Sequence, residues 1–224
     1  MKAVIFDFNG TMIFDTKMNE LSWREFIKKH TGRDATNEEM IQYVHGQPNP
    51  NTIRHFISEN LSAQEVAAYS EEKEVLYREL CFKEKELFRL VKGLEPLLYR
   101  LQKSGIPFTI ATAAGKSNME FYFEQLGLSR WFSMDKIVYD DGTLPGKPEP
   151  DVYLRAIKML NMEPGDCIVV EDSMAGLVSA ERAGVGRIIA IVSTLDLSAI
   201  MSQPMVDAWI EDFDGFEEAA GMMG

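Results

Sequence analysis

Four short, unbroken apolar runs constrain the fold of this chain more than any other feature: Ala3–Phe6, Phe108–Ala111, Cys167–Val170 and Arg187–Ile191. Each is rich in β-branched or aromatic residues and is followed by turn or small polar residues. Continuous apolarity, rather than alternation, suits a strand buried on both faces, as in parallel sheets. Helical patterns at Leu94–Leu101, Met119–Leu126, Val152–Leu160 and Met174–Ala183 lie between or after the runs. The alternation predicts an α/β fold with a Rossmann-like, doubly wound parallel sheet.

One stretch breaks the alternation. From about Asp15 to Leu90 no strand pattern is evident and helical signals recur. Thr36-Asn37-Glu38-Glu39 and Ser62-Ala63-Gln64-Glu65 both fit the capping box, which satisfies the free N–H groups of a helix start. Gly46-Gln47-Pro48-Asn49-Pro50-Asn51 reads as a loop between them. The expected organisation is therefore a core domain of residues 1–14 and 92–224, interrupted by an α-helical insert at 15–91.

Composition narrows the function. A chain of 224 residues, 46% hydrophobic and 26% charged, can build a core without disulfides, so Cys81 and Cys167 are expected as unpaired packing residues. The net charge of −12 argues against nucleic acid as a partner. No apolar stretch approaches the ~20 residues a membrane helix needs, and no signal peptide is visible, so a cytoplasmic location without membrane contact is expected. Of the three histidines only His45, beside the expected loop of the insert, is placed to face a substrate.

In an open α/β sheet, ligands bind beyond the carboxyl ends of the strands. Those ends carry Asp7-Phe8-Asn9-Gly10-Thr11, then Thr112-Ala113-Ala114-Gly115-Lys116, then Glu171-Asp172-Ser173, with Gly146-Lys147-Pro148-Glu149-Pro150 ahead of the third. Singly, each has a plain explanation as a turn, a helix cap or a solvated lysine. Together they supply carboxylates for one hard divalent cation, a lysine and a hydroxyl for phosphate oxygens, and an aspartate able to attack phosphorus.

In this combination the sequence resembles the haloacid dehalogenase superfamily, in its β-phosphoglucomutase and phosphoglycolate phosphatase branch, along essentially the whole chain. The resemblance implies an aspartyl-phosphate mechanism on a small phosphorylated metabolite with Mg²⁺ as cofactor, and makes the helical insert a cap domain that closes over the site. By it, the catalytic residues are Asp7, Asn9, Thr112 and Lys147, with Asp7 the nucleophile. Thr112, Ala113 and Lys147 bind the phosphate, and Asp7, the Asn9 carbonyl, Glu171 and Asp172 bind the metal.

Asn9 departs from the pattern, because the family's phosphatases resemble one another in a second aspartate there, acting as general acid and base. An amide hydrogen-bonds but exchanges no proton at neutral pH. The expectations are a slow phosphatase, an Asn variant that traps an intermediate, or a module that binds a phosphorylated ligand without turnover. A sugar phosphomutase is a weaker alternative, since Asn19 and Asn49 stand where that branch carries a sugar-binding histidine and arginine. Phosphonate cleavage would need a desolvated lysine in the insert, and nothing in the sequence marks Lys17 or another as one.

Overall fold

The computed structural model describes residues 2–44, 48–193, 200 and 202–222. Its first elements are β1 (Ala3–Phe6), α1 (Thr16–Thr31), α2 (Asn37–Tyr43), α3 (Asn49–Phe56) and α4 (Ala63–Lys83). Then come α5 (Leu94–Lys103), β2 (Phe108–Gly115), α6 (Lys116–Leu126), β3 (Val138–Asp140), α7 (Asp151–Leu160) and β4 (Cys167–Glu171). Next are α8 (Met174–Arg182), β5 (Arg187–Ile191), β6 (Ala208–Ile210) and the short α9 (Phe216–Ala219). The chain divides into two compact units, Met1–Phe14 with Arg89–Gly224, and Asp15–Phe88.

The first unit holds a six-stranded sheet in the order β3-β2-β1-β4-β5-β6, and every pairing is parallel. Winding runs outward from β1 to β3 and then restarts at β4, so the direction of winding reverses between β1 and β4. A crevice opens outside the carboxyl ends at such a reversal. Ala3, Val4, Ile5 and Phe6 are all fully buried, as a central parallel strand requires. Alternate residues serve opposite faces. Ala3 and Ile5 join Tyr153, Ala156, Leu177 and Ala180 of α7 and α8 in one core cluster. Phe6 turns the other way, its ring centroid 5.8 Å from that of Phe213 and 6.3 Å from that of Phe216. Each such fully buried aromatic stabilises the fold by about 1.5–3 kcal/mol. The acidic stretch Glu211–Glu218 is thus pinned to the sheet by two aromatics, where the sequence reads as a solvated helix face.

Two strands were not expected, and one is longer than expected. β3 and β6 span three residues each and lie at the sheet edges, where half-burial removes the apolar signal: Trp209 in the middle of β6 is exposed. β2 runs on to Gly115 because β3 pairs with it at Ala111 and again at Gly115, with an irregular register between.

The second unit is helical in all its described elements. Trp23, Phe26, Ile27, Met40 and Ile53 form its core, with Tyr69 and Leu76 packed against them. Both capping boxes form: Thr36 Oγ1 accepts from Glu39 N–H at 3.2 Å and Ser62 Oγ from Glu65 N–H at 3.3 Å, each with the reciprocal bond from its glutamate. The expected loop around Pro48–Asn51 is instead the start of α3, with Pro50 in its first turn. Proline is tolerated there because the first N–H groups of a helix have no intrahelical acceptor. His45, Gly46 and Gln47 lie outside the described residues.

A buried polar cluster ties these helices together. Lys73 on α4 is 2% exposed, and its Nζ donates to Asn19 Oδ1 at 2.5 Å and to Glu74 Oε1 at 3.1 Å. The same nitrogen lies 5.2 Å from the Trp23 ring centroid and 5.3 Å from that of Tyr77. Asn49 donates to Glu74 Oε1 at 2.8 Å, and the Tyr77 hydroxyl donates to Asp15 at 2.6 Å. Burial lowers the Lys73 pKa, and Glu74 opposes the shift. Lys73, rather than the exposed Lys17, is therefore the desolvated lysine of the helical unit. Asn19 and Asn49 are partners of its ion pair with Glu74.

Candidate active site

Backbone register delivers the strand-end residues to one place. Phe6 pairs with Val170 on β4, and the Asp7 N–H donates to the Val170 carbonyl at 3.0 Å, so Asp7 lies level with Glu171. On the other side Phe6 pairs with Ile110, which sets Thr112 two residues further along β2, level with Phe8. Asp7, Glu171 and Asp172 are buried, and their nearest carboxylate oxygens all fall within 4.8 Å of one another.

Lys147, from the loop before α7, joins them. Its Nζ donates to Asp7 Oδ1 at 2.6 Å and to Glu171 Oε1 at 2.5 Å, and it lies 4.9 Å from the Tyr153 ring centroid. Tyr153 is fully buried and donates its hydroxyl to the same Glu171 oxygen at 3.0 Å. The other Glu171 oxygen accepts from the N–H groups of Asp172 and Ser173, both at 2.8 Å, and from the Ser173 hydroxyl at 3.1 Å. Asp172 accepts from Thr11 Oγ1 at 3.3 Å and from Ser193 Oγ at 3.0 Å.

The charges do not balance, since one ammonium faces three carboxylates. Burial raises the Asp7 pKa well above its ordinary range; Glu171 and Asp172 push it the same way, against Lys147. Burial works against the Lys147 charge, but Asp7 and Glu171 overcome it and hold its pKa well above the usual lysine value. Burial, followed by Glu171, likewise raises Tyr153. An all-oxygen donor set carrying excess negative charge suits a hard divalent cation of the Mg²⁺ type.

Two glycines make this crowding possible. Gly10 has φ +80°, and a Cβ there would overlap the Asp172 carboxylate. A Cβ at Gly176, in the first turn of α8, would overlap the Glu171 carboxylate. The tight turn from Asp7 to Ile13 is closed by Gly10 N–H to the Ile13 carbonyl and Met12 N–H to the Phe8 carbonyl, both at 2.8 Å.

Asn9 is half-buried, and its Nδ2 donates to the Tyr122 hydroxyl at 2.8 Å. Tyr122, on α6, is fully buried, with its ring stacked on Phe8 at 4.5 Å between centroids and 20° between planes. Thr112 is buried within β2, and its hydroxyl accepts the Ala114 N–H at 3.1 Å; Ala113 beside it is exposed. Direct bonds thus join Lys147 to Asp7 and Glu171. Thr112 and Ala113 lie within the neighbouring strand β2, which runs on to Gly115. Tyr122, Tyr153 and Ser193 were missed by sequence reasoning: the tyrosines sit inside helical patterns with nothing to single them out, and only the fold reveals where their hydroxyls point.

The profile of the haloacid dehalogenase-like hydrolases matches residues 1–184. Hexitol phosphatase A of Escherichia coli is 28% identical over 195 residues, 87% of this chain and 85% of that one. A phosphorylated carbohydrates phosphatase of Thermotoga maritima is 26% identical over 201 residues, 88% of each chain. Among solved structures, a haloacid dehalogenase hydrolase of family IA, variant 3, from Entamoeba histolytica superposes with a TM-score of 0.92 at 36% identity, covering 99% of both chains.

Proposed function

The chain belongs to the haloacid dehalogenase-like hydrolases, and on that premise we propose that it is a Mg²⁺-dependent, cytoplasmic phosphatase of small phosphorylated carbohydrates, slowed by Asn9. The observation that carries this reading is the buried cluster of Asp7, Lys147, Glu171 and Asp172. The substrate class follows the names of its phosphatase relatives. The helical unit Asp15–Phe88 serves as the cap that selects the substrate, inserted in a core of the remaining residues.

In this reading Asp7, Glu171, Asp172 and the Asn9 backbone carbonyl would hold the cation, and Glu171 also receives Lys147. A Mg²⁺ ion held there would supply positive charge against phosphoryl oxygens that the carboxylates otherwise repel. Thr112, the Ala113 N–H and Lys147 hold the remaining phosphate oxygens. An Asp7 oxygen attacks phosphorus, the bond to the leaving oxygen breaks, and that oxygen departs with the electron pair. Lys147 offsets the charge moving through Asp7. Water then attacks the phosphorus of the acyl phosphate, the bond from phosphorus to the Asp7 oxygen breaks, and Asp7 returns as carboxylate. With Asn9 in place, the leaving oxygen takes its proton from solvent and the attacking water gives one up to solvent.

Both steps need a proton moved at the position of Asn9, and its amide can only hydrogen-bond. Loss of general acid–base help costs about 10²–10⁴ in rate, or roughly 3–5.5 kcal/mol of barrier. The test is phosphate release with Mg²⁺ from the chain and its Asn9→Asp variant, on p-nitrophenyl phosphate and on an alkyl sugar phosphate. Asn9→Asp is expected to gain about 10²-fold or more on the sugar phosphate, whose leaving oxygen needs a proton. Mg²⁺ binding by both forms with no turnover by either would replace the hydrolase with a phosphometabolite-binding module.

A further inference from the structure

We infer that Tyr122 is the positioning residue for the side chain at position 9, holding whatever group stands there against the reacting phosphoryl oxygen. The inference rests on the reaction proposed above. Its basis is the fully buried phenol whose oxygen lies 2.8 Å from Asn9 Nδ2 and whose ring stacks on Phe8, the residue between the nucleophile and Asn9. An amide or carboxylate on a short side chain has two χ angles to fix, and a turn offers little packing to fix them. The stacked ring anchors the phenol oxygen through α6, a rigid element, and the hydrogen bond passes that rigidity to position 9. A phenol can accept from an amide and donate to a carboxylate. The contact therefore serves Asn9 as it stands and would serve an aspartate in its place. Misplacement of a proton-transfer group by about 1 Å costs on the order of 10²-fold in rate.

Tyr122→Phe removes the hydroxyl and leaves the stacked ring. It is placed in both the Asn9 chain and the Asn9→Asp variant, and kcat and KM are measured on p-nitrophenyl phosphate and on an alkyl sugar phosphate. The proton delivered at position 9 matters to the alkyl leaving group and little to the nitrophenolate. In Asn9→Asp, the second change is expected to lower kcat on the sugar phosphate about 10-fold or more, at unchanged KM. The first-turnover release of nitrophenolate, which reads phosphorylation of Asp7 alone, should stay within about 2-fold in both backgrounds, because that leaving group needs no proton and the nucleophile is undisturbed. A structural role for the phenol would instead lower both substrates alike, with a lower melting temperature, and would overturn the inference. So would a gain from Asn9→Asp that Tyr122→Phe leaves intact. If Asn9→Asp alone gains nothing on the sugar phosphate, the proposed acid chemistry and this inference fall together.

Discussion

Gly176 shows how little room the acid cluster leaves. Glycine inside a helix ordinarily destabilises by about 0.5–1 kcal/mol relative to alanine, so Gly176→Ala should strengthen α8 on helix propensity alone. Here the added methyl would displace the Glu171 carboxylate that receives Lys147 and Tyr153. The prediction is loss of phosphatase activity and of Mg²⁺-dependent thermal stabilisation, which scanning calorimetry with and without the cation would show. An active, more stable Gly176→Ala would mean that Glu171 is free to move. Asp7, Lys147, Glu171 and Asp172 stood out in the sequence because, ordinary one by one, they make a coherent phosphate-and-metal set together. Tyr122 and Tyr153 were not, because an aromatic at helical spacing is the ordinary signature of packing. Both are packed, and the hydroxyl on the ring is what carries their second role.

At the scale of elements, the capping boxes of α2 and α4 were readable because a cap is a local pattern, satisfied within four residues. Glu39 does more than cap α2, since both its oxygens also receive the Arg33 guanidinium, at 2.7 and 2.8 Å. The Arg33 hydrogen bond first, and then the Thr36 N–H, lower its pKa from 4.5 to about 2. A carboxylate depressed in the folded state contributes stability that is full above its unfolded value and is lost as pH falls through the folded one. Glu39→Gln should therefore melt below the natural chain near neutrality, and the difference should close as pH falls from about 4.5 to about 2. A difference that persists to the acid limit would show that the ion pair does not carry it. The Lys73–Glu74 pair, both on α4, was invisible to pattern reading, because its partners Asn19 and Asn49 come from α1 and α3. Breaking a buried pair by truncating one partner costs about 3–5 kcal/mol. Lys73→Ala should approach that loss in chemical denaturation, and Lys73→Met, which keeps a side chain against Trp23 and Tyr77, should lose less. Equal losses would assign the stability to charge alone. β3 and β6 escaped notice for the opposite reason: three residues at a sheet edge bury too little to leave a pattern.

Across the whole molecule, the parallel sheet and the helical unit were readable because each repeats its own period over many residues. The order and register around β1 come from pairings between residues more than a hundred positions apart, and no local pattern encodes them. The two thiols offer one probe in each unit. Burial pushes Cys81, in the helical unit, up to about 12, and Cys167, in the sheet unit, up to about 11. Neither should react with a thiol reagent in the native state, and each should become reactive as its own unit opens, read peptide by peptide by mass spectrometry. Rapid native labelling of either would contradict its burial. The proposed reaction runs through a covalent phosphoryl group at Asp7, which Asn9 is poorly equipped to release. The most direct measurement is mass spectrometry of the Asp7 peptide after acid quench of the protein with Mg²⁺ and acetyl phosphate. A phosphorylated Asp7 that accumulates in the chain with Asn9 and is depleted in Asn9→Asp is the predicted result. Turnover with phosphate on another residue, or with no covalent phosphate in either form, would contradict it.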